Sequence, residues 1–226
     1  MLILLFLILT ASIYWGAKWW YTKKKKVYFS PLLLAPILII FVLALFHISY
    51  DSYNSGAKWL TKLLQPATVA LAIPLYRYYP ILKKYLREIL FSVLLGCMMS
   101  ILASFSISWL VQLNKTLVTS IIPYSITTPI AMGVSSKIGG VPTITAVFVI
   151  MTGIIGMILG PWIIRIFGFK SEIARGVLLG TSSHGAGTSK ALELSSATGA
   201  VSSVCMVLAA ITSFCISPWI YMHILH

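Results

Sequence analysis

Residues 176–199 read GVLLGTSSHGAGTSKALELSSATG, a glycine-rich and hydroxyl-rich segment with one histidine, set between two long apolar stretches. Hydrocarbon offers no partner to free backbone N–H and C=O groups. An irregular polar segment is therefore stable at membrane depth only where protein buries it or where it lines a water-filled cavity. The stretch predicts an interrupted helix and a solute site in the same place.

The rest of the chain supports a membrane setting. Of 226 residues, 59% are hydrophobic and 9% charged, and the mean hydropathy of +0.96 leaves no room for a separate soluble domain. Residues 1–226 read as one all-α, polytopic integral membrane domain. The net charge of +13 comes from cations at the ends of apolar segments, among them Lys23 to Lys26, Lys83, Lys84 and Arg87. That placement marks topology and contact with the lipid bilayer, not a nucleic-acid surface. Cys97, Cys205 and Cys215 lie in apolar segments without metal-ligand or disulfide spacing. With no triad, phosphate loop or metal cluster in view, the sequence predicts no enzyme, no cofactor and no metal.

Apolar segments follow at Leu2 to Trp15, Pro31 to Ile48, Leu63 to Tyr79, Ile89 to Val111, Leu117 to Gly133, Val141 to Phe167, Glu172 to Leu194 and Ala200 to Met222. The first reads as a retained span with an aromatic belt at Trp15, Trp19, Trp20 and Tyr21, and Asp51 to Gly56 reads as an outer loop. The region 117–140, broken by Pro123 and Pro129, is expected to dip in and return. A full crossing there would put Arg165, Lys170 and Arg175 outside, against the positive-inside trend. About seven crossings plus one re-entrant segment follow, with the amino terminus outside and the carboxyl terminus cytoplasmic.

Residues 1–57 then hold two spans, 58–112 a first broken-helix unit and 141–226 a second. The two units enter from opposite sides, an inverted repeat with two discontinuous helices whose breaks meet near the midplane, as in secondary transporters. The breaks are Gln65 to Pro74, with Pro66 and Pro74 as breakers, and Thr181 to Thr188.

An interrupted helix exposes N-terminal N–H groups that attract an anion such as a carboxylate. The predicted substrate-binding set is Thr181, Ser182, Ser183, His184, Gly185, Gly187 and Thr188, joined by Thr68 and by Thr127 and Thr128 of the re-entrant segment. Hydroxyls and imidazole would donate hydrogen bonds, and the glycines would let backbone approach the solute. His184 stands out because ionisable groups inside a membrane are costly and mark solute routes. Arg175 and Glu193 flank the break as candidates for a pathway entrance. The only carboxylates are Asp51, Glu88, Glu172 and Glu193, so no buried acidic pair is available for ion coupling. No helix shows a continuous polar face; polar residues gather at the breaks.

LQPATVALAIPLY (64–76), SITTPIAMGVSSKIGG (125–140), RGVLLGTSSHGAGTSKALEL (175–194) and GAVSSVCMVLAAITSFCISPW (199–219) resemble the LrgB/CidB family of bacterial membrane proteins. The resemblance covers most of the chain after Lys58. It implies the bacterial cell membrane, a small LrgA/CidA-type membrane partner and a homo-oligomer as a further assembly. It also implies one of two activities. The first is movement of small monocarboxylates such as pyruvate or glycolate, as in plastid glycolate/glycerate relatives. The second is holin-like or antiholin-like control of murein hydrolase export and lysis. The family pattern has Gly where Gln65 stands, Lys where Tyr124 stands, and Ala-Ile where Gly185 and Ala186 stand, which bears on substrate identity. The polar breaks favour the carrier.

Overall fold

Among the residues that the computed structural model describes, 2–24, 29–63, 66, 69–70 and 72–220, all regular structure is helical. The chain forms two compact units, residues 1–72 and 73–226, where the sequence reads as one domain.

The first unit contains α1 (Leu2–Lys24), α2 (Pro31–Leu45) and α3 (Tyr50–Lys62). α1 continues past Trp15 and through Gly16 to Lys24, and the Lys23 ammonium lies 3.6 Å from the Trp19 ring centroid. α2 has 15 residues, about 22 Å at 1.5 Å per residue, short of the ~30 Å hydrocarbon thickness. Asp51 to Gly56, expected as a loop, is part of α3. Ser49 caps that helix by accepting from the Ser52 N–H at 3.3 Å. Tyr53 then lies edge-on to Phe6 at 5.8 Å and hydrogen-bonds Thr10 at 3.0 Å. A polar face combined with a packed aromatic stripe makes a helix of residues that composition alone assigns to a loop.

The second unit contains α4 (Ala72–Arg77), α5 (Tyr79–Lys84), α6 (Leu86–Leu110), α7 (Lys115–Ile121), α8 (Thr128–Lys137), α9 (Pro142–Ile166), α10 (Glu172–Leu194) and α11 (Ser196–Ile220). Three helix ends close in the same way. Gln112, Gly139 and Gly168 have positive φ, and the next N–H reaches back five residues, Leu113 to Ser108, Gly140 to Ser135 and Phe169 to Ile164. This left-handed cap satisfies terminal carbonyls and fixes where each span stops.

Among the described residues, four helices are long and apolar enough to cross a membrane: α1, α6, α9 and α11. The expectation of about seven crossings counts α2, which is short, the region 63–79, which is only partly described, and α10, which turns back. At His184 the backbone leaves helical geometry, φ 37° and ψ −123°. A Cβ on Gly187 would collide with the Leu179 carbonyl eight positions earlier, which is possible only where the chain folds on itself. α11 fits the same picture. Gly176 and Gly180 on the inward half lie against Val201 and Ser202, running parallel to α11, while Thr188 and Leu192 on the outward half meet Ser202 and Gly199 in antiparallel order. Residues 172–194 thus form a helical hairpin broken at His184.

The region 115–140 makes a second hairpin, from the opposite face. α6 and the start of α10 share one end, where Tyr85, Glu88, Ser171 and Ala174 line a common cavity. α9 runs antiparallel to the inward half of α10, with Gly160 at Leu179 and Gly153 at His184. The first residues of α9 therefore lie at the other end, beside Ser120 and Ser135, both of which contact Thr145. The end of α6 and the start of α9 thus lie at the same end of this unit, with α7 and α8 folded between them. α11 departs from the end of this unit that carries Arg87, Arg165 and Lys170, where Ser195 bonds Glu172.

Candidate functional site

The hairpin tip packs against the middle of α9. Gly153, eleven residues into the 25-residue α9, leaves room for the imidazole: a Cβ there would stand 2.9 Å from His184 Cε1 and 3.2 Å from Ala186 Cβ. His184 is 7% exposed, and its Nε2 lies 3.0 Å from the Val149 carbonyl oxygen. With that pairing the ring donates from Nε2 to the carbonyl. Gly156 admits Ser183, Gly160 admits Leu179, and Gly180 lies on the Ser202 backbone. These glycines let three helices close tightly around the tip.

Most of the predicted hydroxyls already have internal partners. Ser182 donates to the Leu178 carbonyl at 2.7 Å and shares a 2.9 Å bond with Ser183, and Thr188 pairs with Ser202 at 3.0 Å. Gly185 is exposed, with open space where a Cβ would lie, so the backbone that begins the outward half-helix is open to a solute. Thr181 differs from its neighbours: its hydroxyl is buried without a hydrogen-bond partner. A buried unpaired hydroxyl is costly and calls for a ligand or water.

The other predicted residues divide. Thr127 is the N-cap position of α8, with Thr128 and Pro129 in its first turn, so Pro129 starts the return helix and does not break a span. No hydrogen bond among the described residues joins Thr127 or Thr128 to the His184 tip. Thr68 lies outside the described residues, as do Gln65 and the side chain of Pro74; Pro66 is helical and exposed. Arg175 and Glu193 have local partners: Arg175 Nε donates to the Phe169 carbonyl at 2.8 Å, and Lys190 pairs with Glu193 at 2.7 Å. No group of three or more potential metal ligands exists among the described residues.

α6 supplies what the sequence reading passed over. Gly96 and Ser100 flank its midpoint. A Cβ on Gly96 would stand 2.8 Å from Thr181 Cγ2 of the α10 hairpin. The Ser100 carbonyl accepts from Tyr124 Oη of the opposite hairpin at 3.5 Å, and Ser100 Oγ is buried without a partner. One helical turn, about 6 Å, separates the two contacts. Hairpins entering from opposite faces thus converge on the middle of α6. The signal was a small residue every fourth position in an otherwise apolar run, easily taken for ordinary helix packing.

The family model described as LrgB-like family matches residues 10–223. The chain belongs to the LrgB-like family. Within it, YwbG of Bacillus subtilis (strain 168) is 52% identical over 214 residues, covering 95% of each chain. Holin-like protein CidB of Staphylococcus epidermidis is 40% identical over 214 residues, covering 95% of this chain and 93% of its own. Holin-like protein CidB of Staphylococcus aureus is 38% identical over 215 residues, covering 95% and 94%. No solved structure matches. LrgB-like membership accords with the four long apolar helices among the described residues: this is a membrane protein.

Proposed function

We propose that this chain controls membrane permeability in the holin-like class named by its relatives, and that it does so by passing small anions, such as monocarboxylates, between the tips of two opposed hairpins. The observation that carries this is the convergence of Thr181 and Tyr124 on one turn of α6. Discontinuous elements meeting at the midplane are how membrane proteins offer backbone dipoles to a solute without exposing them to lipid. Each return helix begins at its tip, so two positive helix ends lie at depth. Pyruvate and glycolate suit a site of this size, with one carboxylate for the N–H groups and one oxygen for a hydroxyl such as that of Thr181.

The relatives' holin-like names favour a second reading, a regulator of hydrolase release and lysis. A large lesion needs several copies, while the paired tips lie within one chain. A small LrgA/CidA-type partner would modulate either activity. The positive-inside trend supports an orientation with Lys83, Lys84, Arg87, Arg165 and Lys170 on the cytoplasmic face of a bacterial cell membrane and Lys115 and Lys137 on the other.

Proteoliposomes holding the chain, with and without the small partner, test this by uptake of labelled pyruvate and glycolate beside release of an entrapped dye. Saturable uptake with the dye retained supports the anion route. Dye release without selective uptake transfers the function to the lytic reading.

A further inference from the structure

We infer that α6 carries a polar track through the whole span, formed by Glu88, Ser92, Gly96, Ser100, Ser104 and Ser108, along which the solute moves between the two faces. These six positions recur at intervals of four, the spacing of the i±4n ridge on a helix surface. The inference rests on the permeation reading above and names the wall of the route.

Spacing alone would be helix packing, and three further observations point to a path. Each end of the track opens into a cavity. Glu88 and Ser92 line one of about 350 Å³ at the base of the α10 hairpin, and Ser108 lines one of about 660 Å³ beside Lys115 at the base of the opposite hairpin. The middle carries unmet hydrogen-bonding capacity, because Ser100 Oγ is buried and unpaired, as is the hydroxyl of Thr181, whose methyl meets Gly96. Finally, each hairpin touches the track at its centre, Thr181 at Gly96 and Tyr124 at Ser100. The arrangement is an inverted pair: cavity, hairpin and track on one face, then the same on the other. Movement of either hairpin against α6 would open its half of the track, and the hydroxyls would replace water around a small anion as it passes.

Cysteine scanning in full-length protein reconstituted in liposomes tests the track, with Cys97, Cys205 and Cys215 replaced by Ala. S92C, S100C, S104C and S108C are treated with a membrane-impermeant anionic methanethiosulfonate, with lipid-facing L102C and I107C as controls. The expected result is modification of all four track positions about tenfold or more faster than the controls, since only a hydrated thiol ionises and reacts. Saturating pyruvate should slow S100C. S100C and S104C are independent readings of the buried stretch, so loss of one variant to misfolding leaves the other. If S92C and S108C react while S100C and S104C match the controls, the cavities are blind and the track is overturned. If all four react but pyruvate neither protects nor enters, the track stands and the monocarboxylate assignment falls.

Discussion

Ser195 donates a hydrogen bond to Glu172 at 2.6 Å although 23 residues separate them. In one continuous crossing those residues would be about 35 Å apart at 1.5 Å per residue. The bond closes the mouth of the α10 hairpin and decides the topology of the last third of the chain.

A crosslink across that mouth is therefore expected. In a background without native cysteines, E172C/S195C should be joined within one chain by a short bismaleimide, detected as a bridged peptide pair by mass spectrometry. A broken but spanning helix would leave the two thiols on opposite membrane faces and give no bridge. Failure to crosslink, with both thiols shown to be reactive singly, would restore the single crossing.

His184 holds the turn by its backbone as well as its ring. Its φ of 37° lies where a Cβ is crowded, at a cost of about 1–2 kcal/mol. H184G should therefore be more stable than H184A by about that amount in a detergent melt, while both lose the Val149 contact and saturable anion uptake. Equal stability of the two variants would mean that the tip relaxes and the left-handed geometry does not hold the turn.

Much of this was legible in residues 176–199, where glycine, serine and histidine in an apolar setting announce irregular backbone at depth. The direction of the chain after His184 was not legible. Broken spans and hairpins have the same composition, and the difference lies in which partner Leu179 and Gly187 find. Residues 117–133 were read as re-entrant because charge placed Arg165 and Lys170, a constraint that α10 does not carry. Ser182, Ser183 and Thr188 are expected to face a solute, yet Ser182 bonds the Leu178 carbonyl and the Ser183 hydroxyl, and Thr188 pairs with Ser202. α6 reads as an ordinary apolar helix whose Ser and Gly residues suit close helix contacts, because residues this small do not interrupt the apolar run.

The glycines of α10 separate packing from flexibility. A methyl at Gly180 meets the Ser202 backbone and one at Gly187 meets the Leu179 carbonyl; neither backbone can yield without opening the hairpin. G180A and G187A should each lose about 1–3 kcal/mol. Gly133, helical in α8 with nothing within 4 Å of its missing Cβ, gives the contrast: G133A should gain about 0.4–1 kcal/mol by restricting the unfolded chain. Thermal melts of the three variants check both signs, and a stable G187A would contradict the folded-back geometry.

Thr181 offers the sharpest separation of site from scaffold. Its hydroxyl is buried and unpaired, so T181V, nearly equal in shape, removes an unsatisfied group and should raise stability by about 1 kcal/mol. A residue that only packs would show that gain with transport unchanged. A residue that donates to a carboxylate in transit would show the same gain together with a KM for pyruvate raised about tenfold, the loss of a charge-assisted bond worth roughly 1.4 kcal/mol. T181S restores the donor without the methyl and should return KM toward the parent value. Stability and KM are read on the same reconstituted samples, and an unchanged KM in T181V would remove Thr181 from the solute site while leaving the hairpin intact.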